Sequence, residues 1–230
     1  MLVLGLDTSS PAISVACVEL LPGSEGAGSW GRQADWRVVD ARAHGELLAT
    51  GVRAVLAELG AAPGDLGAVA VGLGPGPFTG LRVGVVTAAA LADALGVPAY
   101  GCCSLDAVDP WGEGERLVVT DARRREVYWA EYAADDERVA GPSGMAPAAL
   151  AHALGDVGWS GRVLGDGALA HPELFPGVPA EPRYPSAEGV VLLCARRVLS
   201  AAPAEPLVPR YLRRPDATPP GAPKAATAPW

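Results

Sequence analysis

The chain has 230 residues, half of them hydrophobic, enough for a sizeable core in one large domain or two small ones. A formal net charge of −8 argues against a broad basic face that grips nucleic acid unaided, so any RNA is expected to be held by another subunit. No stretch approaches the roughly 18 apolar residues of a membrane helix, and the N-terminal apolar run is broken by Asp7, so a soluble cytoplasmic protein with no signal peptide is expected.

Residues 2–6 are predicted as a short strand ending at Asp7, and 12–19 return as a second strand after the turn Thr8-Ser9-Ser10-Pro11. The Gly/Ser-rich stretch 22–34 reads as a hairpin loop and 35–42 as a third strand. The period then changes: Leu47, Leu48, Val52, Val55, Leu56 and Leu59 form a helical stripe that Gly60 ends. A strand at 67–73, a Gly/Pro turn, a helix from Thr79 to Leu95 and a strand at 98–102 follow. This order implies a mixed sheet with helices packed on it. The latter half of the chain repeats the opening: 117–120 lead into Asp121, a polar turn spans Ala122 to Arg125, and 126–133 return as a strand. Asp7 and Asp121 stand about half a chain apart, so two related lobes are expected, 1–103 and 104–213. The C-terminal lobe is expected to be reduced; only a helix near 147–154, a strand near 162–165 and a helix near 187–201 can be read in it. Residues 214–230, rich in Pro and Ala without periodicity, read as a disordered tail.

Chemistry is sparse. The turn Asp7-Thr8-Ser9-Ser10 offers hydroxyls and backbone N–H groups that could cradle a phosphate or place a metal; the plainer reading is an Asx turn closing a hairpin. Its counterpart at Asp121 to Arg125 is either a solvated hairpin tip or a ligand-facing turn using Asp121 and Arg123. Gly72 to Gly84 (GLGPGPFTGLRVG) joins a strand to a helix. Gly74 and Gly76 permit unusual backbone angles there, and Thr79 is positioned to cap the helix. It is neither a Walker loop nor a Rossmann fingerprint, although a helix N-terminus still attracts anions. Gly80, Gly84, Ala88 and Ala92 stand four apart, a smooth ridge that packs either on the chain's own sheet and first helix or on a helix of another subunit. The glycines' cost to the helix interior favours the helix of another subunit. A helical metal site would need a second ligand four residues after His44, and that position is Leu48; His44 reads as a capping or packing residue. Cys17, Cys102, Cys103 and Cys194 form no CxxC pair and read as free thiols. Lys224 is the sole lysine, which reads as coding bias.

LGLDTSS, AHGELL, GLGPGPFTGLRVG, DARRREVYWAEY and the closing PRYLR resemble, in this order, the TsaB family, also called YeaZ, over about residues 1–213. The resemblance implies an α/β, actin-like, ribonuclease-H-type (ASKHA) fold of two lobes. It implies a non-catalytic subunit that pairs with the catalytic homologue TsaD and with the ATPase TsaE. That assembly transfers a threonylcarbamoyl group to the adenosine next to the anticodon of ANN-reading tRNAs. TsaD-type relatives hold their metal with a helical HxxxH, of which this chain keeps only His44. Partner contact in the family runs through the first-lobe helices. The expected interface is therefore Leu48, Val52, Val55, Gly80, Val83, Gly84, Thr87 and Ala88, with a homodimer forming when the chain is alone. Asp7, Thr8, Ser9, Ser10, Gly74, Gly76, Thr79, Asp121 and Arg123 are expected as vestigial ligand loops. No cofactor is expected for the lone chain, and a nucleotide, if any, would lodge at the subunit boundary. Pro77 departs from the small polar residue of many relatives. A small-molecule kinase of the same superfold is the alternative.

Overall fold

Two mixed sheets built on one strand plan carry the chain. In the first, β1 (Leu2–Asp7) pairs antiparallel with β2 (Ala12–Leu20), which pairs antiparallel with β3 (Trp30–Val39). On its other edge β1 runs parallel to β4 (Leu66–Gly72), and β4 runs parallel to β5 (Ala99–Cys102). The order is β3-β2-β1-β4-β5. The second sheet repeats it with β8 (Arg138–Met145), β7 (Val127–Tyr132), β6 (Arg116–Asp121) and β9 (Arg162–Leu164), in the order β8-β7-β6-β9. The computed structural model describes residues 1–21 and 30–213; the Pro/Ala-rich tail 214–230 and most of the Gly/Ser-rich loop lie outside the described residues.

All six residues of β1 are buried because helices cover both faces of the first sheet. Leu4, Leu6, Val15, Cys17, Val69 and Val71 point to one side, where α1 (His44–Leu59) and α2 (Phe78–Leu95) supply Leu48, Val55, Leu81, Val85 and Ala88. Val3, Ala16, Val18, Ala68 and Ala70 point to the other, under α5 (Ala187–Leu199). A glycine at position 5 lets α5 come this close, since a Cβ there would overlap the Ala187 carbonyl. The Ala187 N–H donates to Ser14 Oγ at 2.9 Å. The helix near 187–201 therefore belongs to the first lobe's packing, not to the second lobe in which its sequence position places it. A contiguous boundary at 103/104 fails there because the uncovered face of a two-sided sheet must be buried by some element, wherever in the chain that element lies.

Within the second lobe α3 (Pro147–Asp156) and α4 (Asp166–Leu169) occupy the chain positions that α1 and α2 hold in the first, and α4 is a single turn of 4 residues where α2 has 18. Three sequence expectations need correcting. The third strand starts at Trp30 and stops at Val39 instead of spanning 35–42, because its pairing to β2 begins opposite Leu20. Strand β8 is absent from the elements expected; it is an edge strand with a partly exposed, irregular pattern around Gly141 and Pro142, where no alternation marks it. Thr79 does not cap α2. Pro77 holds the cap position without a side-chain bond, and Thr79 sits exposed inside the first turn.

Candidate functional site

Asp7 ends β1 fully buried, and its Oδ1 accepts from the Ser9 backbone N–H at 2.9 Å and the Ser9 hydroxyl at 2.7 Å. Oδ2 lacks a partner of good geometry among the described residues, although the Ser104 hydroxyl lies beside it. Burial pushes the Asp7 carboxyl up, and the Ser104 and Ser9 contacts work against that. The other hydroxyls of the turn are also engaged. Thr8 Oγ1 donates to Gly80 O at 2.8 Å and accepts from the Gly84 N–H at 3.0 Å, while Ser10 Oγ accepts from the Ala12 N–H at 3.2 Å. His44 lies buried at the start of α1, its Nε2 2.9 Å from Ser10 O, so it packs and pins the turn without capping the helix.

The glycine loop presses directly on this turn. Gly74 takes φ +84° and its N–H donates to Ser104 Oγ at 2.9 Å; a Cβ on Gly76 would overlap the Ser9 backbone. The two loops expected as vestigial ligand loops thus fill one another's space.

Across the cleft, Asp121 ends β6 as Asp7 ends β1, and its Oδ1 accepts from the Arg123 N–H at 2.8 Å. Arg123, Arg124 and Arg125 are exposed and hold φ of 60°, 54° and 63°, three successive left-handed residues at the hairpin tip. Asp166, which the sequence does not single out, lies buried nearby and accepts from the Asp121 N–H at 3.1 Å. Burial lifts its carboxyl to about 6. No local signal marks it or Ser104; only the repeated strand plan places Asp166 at the start of α4, where α2 begins in the first lobe. Between Ser9, Ser10, Thr120, Asp121 and Asp166 the open space is about 10 Å³, room for one water. Another cavity, of about 160 Å³, lies between Thr8, His44, Thr79, Gly80 and Arg123. Nucleotide-sized sites run to roughly 300 Å³ and above. Among the described residues no group of three His, Cys, Asp or Glu side chains is arranged to hold a metal.

The small-residue ridge of α2 does not face a partner. Gly80, Gly84, Ala88 and Ala92 are buried against the chain's own sheet, turn and first helix. A Cβ on Gly80 would lie 2.9 Å from Thr8 O, and one on Gly84 would overlap Thr8 Oγ1. The glycines serve close approach of α2 to the Asp7 turn, so the neighbour that offsets their cost to the helix lies in the same chain and not in another subunit. Leu48 and Val55, 2% and 0% exposed, belong to the same core and are likewise withdrawn from any interface. Of the residues expected there, Val52, Val83 and Thr87 keep part of their surface. Beside them α2 exposes Arg82, Val86, Ala89, Ala90 and Ala94, with Val86 65% exposed. The sequence expectation that no stretch approaches a membrane helix needs correcting here: by length and composition alone α2 is long and apolar enough to span one, with a mean hydropathy of 1.4 over 18 residues and 33% of them buried, and it carries more apolar surface than its own core uses.

A family model described as TsaD, tRNA N6-adenosine threonylcarbamoyltransferase, matches residues 38–162. A solved structure of YeaZ from Pseudomonas aeruginosa superposes with a TM-score of 0.73 at 28% identity, covering 92% of this chain and 99% of that one. The chain belongs to the TsaB (YeaZ) family. An uncharacterised protein of Mycobacterium bovis is 45% identical over 94% of both chains. The Escherichia coli tRNA threonylcarbamoyladenosine biosynthesis protein TsaB is 37% identical over 103 residues, 43% of this chain and 45% of its own length. The actin-like, ribonuclease-H-type fold expected from the sequence is the fold observed, two mixed sheets on one strand plan.

Proposed function

We propose that this chain is a non-catalytic subunit of the assembly that makes threonylcarbamoyladenosine next to the anticodon of ANN-reading tRNAs. It acts by docking the outer faces of α1 and α2 on a TsaD-family catalytic chain and holding that chain in its active arrangement. A TsaE-type ATPase completes the assembly, tRNA is met only through it, and the same helical face makes a homodimer when the partner is absent.

The observation that carries this reading is the outer face of α2, where Val86, Ala89, Ala90 and Ala94 stand exposed in a row that the chain's own core leaves uncovered. The site region supports it from the other side. Asp7, Thr8, Ser9 and Ser10 are bonded within the chain, and the position where a second helical metal ligand would stand is Leu48, a core leucine. A residue that the core needs cannot also reach a metal. The Escherichia coli relative named above as a tRNA threonylcarbamoyladenosine biosynthesis protein supplies the reaction.

Reconstitution tests the proposal. A TsaD-family chain and a TsaE-type ATPase from the same organism are incubated with unmodified tRNA, ATP, threonine-derived threonylcarbamoyl donor and this chain, and the modified nucleoside is measured by mass spectrometry. Modification should depend on this chain; equal yield without it would remove the proposed role.

A further inference from the structure

The last described segment of the chain runs back over the first lobe. The Arg210 N–H donates to Leu73 O at 2.7 Å, and Leu207 packs on the core shared by α1 and α2. Tyr211 lies over Phe78 at the head of α2, ring centroids 4.6 Å apart. The Arg82 guanidinium sits 3.7 Å from the centre of the Phe78 ring, and its Nε donates to the Tyr211 hydroxyl at 3.0 Å. Arg213 then reaches the second lobe, donating to Ala122 O at 3.2 Å and pairing with Glu126. Leu212, between these two anchors, is 42% exposed, and Tyr211 is 38% exposed.

Phe78, Arg82 and Val86 follow one another at helical spacing on α2, so Tyr211 prolongs the row that Val86 belongs to. Of nine large hydrophobic residues left exposed among those described, four are Val86, Val208, Tyr211 and Leu212, on α2 and the segment 206–213. Arg82 is held on one side only. Nε is bonded and the flat face is stacked, while its two terminal nitrogens have no hydrogen-bond partner among the described residues. A guanidinium fixed in this way presents a fork with little rotamer freedom left to lose on binding.

We propose that the strap 206–213 is part of the docking surface. Tyr211 and Leu212 enlarge the apolar face of α2, and Arg82, stacked on Phe78 and bonded to Tyr211, donates its fork to a carboxylate of the TsaD-family partner. The inference rests on the docking reading above and adds to it a further contact region and the chemistry of the partner group. Tyrosine and arginine are among the residue types that carry most of the binding energy at protein interfaces. The strap also explains why the surface is assembled only in the folded chain: its two halves are about 130 residues apart in sequence, as the Arg82–Tyr211 bond records.

Affinity for the TsaD-family chain, measured by calorimetry with the full-length protein, separates the possibilities. Val86→Asp interrogates the α2 face itself. Leu212→Asp interrogates the strap at a side chain with no bonded partner, so the fold survives. Arg82→Lys keeps the charge but loses the fork, and Tyr211→Phe keeps the ring but frees the arginine. Leu212→Asp and Arg82→Lys should each weaken binding about tenfold or more, as truncation of central contacts does, and Tyr211→Phe should weaken it less. Weakening by Val86→Asp with full affinity in Leu212→Asp and Arg82→Lys would overturn the strap proposal and leave the docking reading intact. Full affinity in Val86→Asp and in the strap variants would overturn both.

Discussion

The Thr8 hydroxyl joins two elements by bonding both Gly80 O and the Gly84 N–H, and the absence of side chains at those glycines allows it. Gly84→Ala places a methyl group on Thr8 Oγ1, so a loss of about 1–3 kcal/mol is expected, read as a lower urea midpoint. An unchanged midpoint would mean that α2 has slack the packing does not show. Asp166 offers another residue-scale test. Its folded pKa of about 6 stands above the ordinary 3.8, so the native state binds the proton more tightly than the unfolded chain does. Stability from this group is full below about pH 4 and is lost as pH rises through 6, a swing of at most about 3 kcal/mol. Asp166→Asn keeps an oxygen to accept from the Asp121 N–H and removes the ionisation. The stability gap between variant and parent should open in the variant's favour from pH 4 to 7; a gap constant with pH would mean the carboxyl titrates normally.

Among the elements, α2 shows how one helix divides its duties. Its inner face of small residues lets it sit on the Asp7 turn, and its outer face carries apolar surface beyond what the core consumes. Val86→Asp, on the outer face, should change the unfolding free energy by no more than about 0.5 kcal/mol, whereas most core positions of α2 tolerate no charge. Substantial destabilisation by Val86→Asp would place that face in the chain's own core. The helical stripe of α1, the strand-ending aspartates and the doubled strand plan are all legible in the sequence, because period and turn chemistry are local properties. The direction of the ridge is not. Gly80, Gly84 and Ala88 mark close approach wherever it occurs, and the spacing carries no information on which neighbour approaches. Strand β8 is hidden for a related reason: an edge strand with a Gly-Pro break owes its pairing to β7, not to its own pattern.

For the whole molecule, α5 closes the first sheet and the strap touches both lobes. Ending the chain at Pro185 removes the cover over Val3, Val18, Ala68, Ala70 and Tyr100, and the first lobe should then lose its cooperative thermal transition. A sharp transition retained by that fragment would show that lobes 1–103 and 104–185 stand independently. The cleft makes a further prediction. With about 10 Å³ between the facing turns, the isolated chain should give no calorimetric heat with ATP and magnesium at concentrations that saturate a kinase of this superfold. Tight binding with turnover would revive the kinase alternative.

Taken alone, the sequence determined the strand-turn-strand repeats, the helix periods, the acidic balance and the missing second histidine, since each is written in neighbouring residues. Folding decided which surfaces stay free. Burial of Leu48, Val55 and the α2 ridge, the crossing of α5 to the first sheet, the mutual filling of the Asp7 and glycine loops and the meeting of Tyr211 with Arg82 all join residues far apart in the chain. Contacts of that kind depend on how whole elements pack, and no local pattern encodes them.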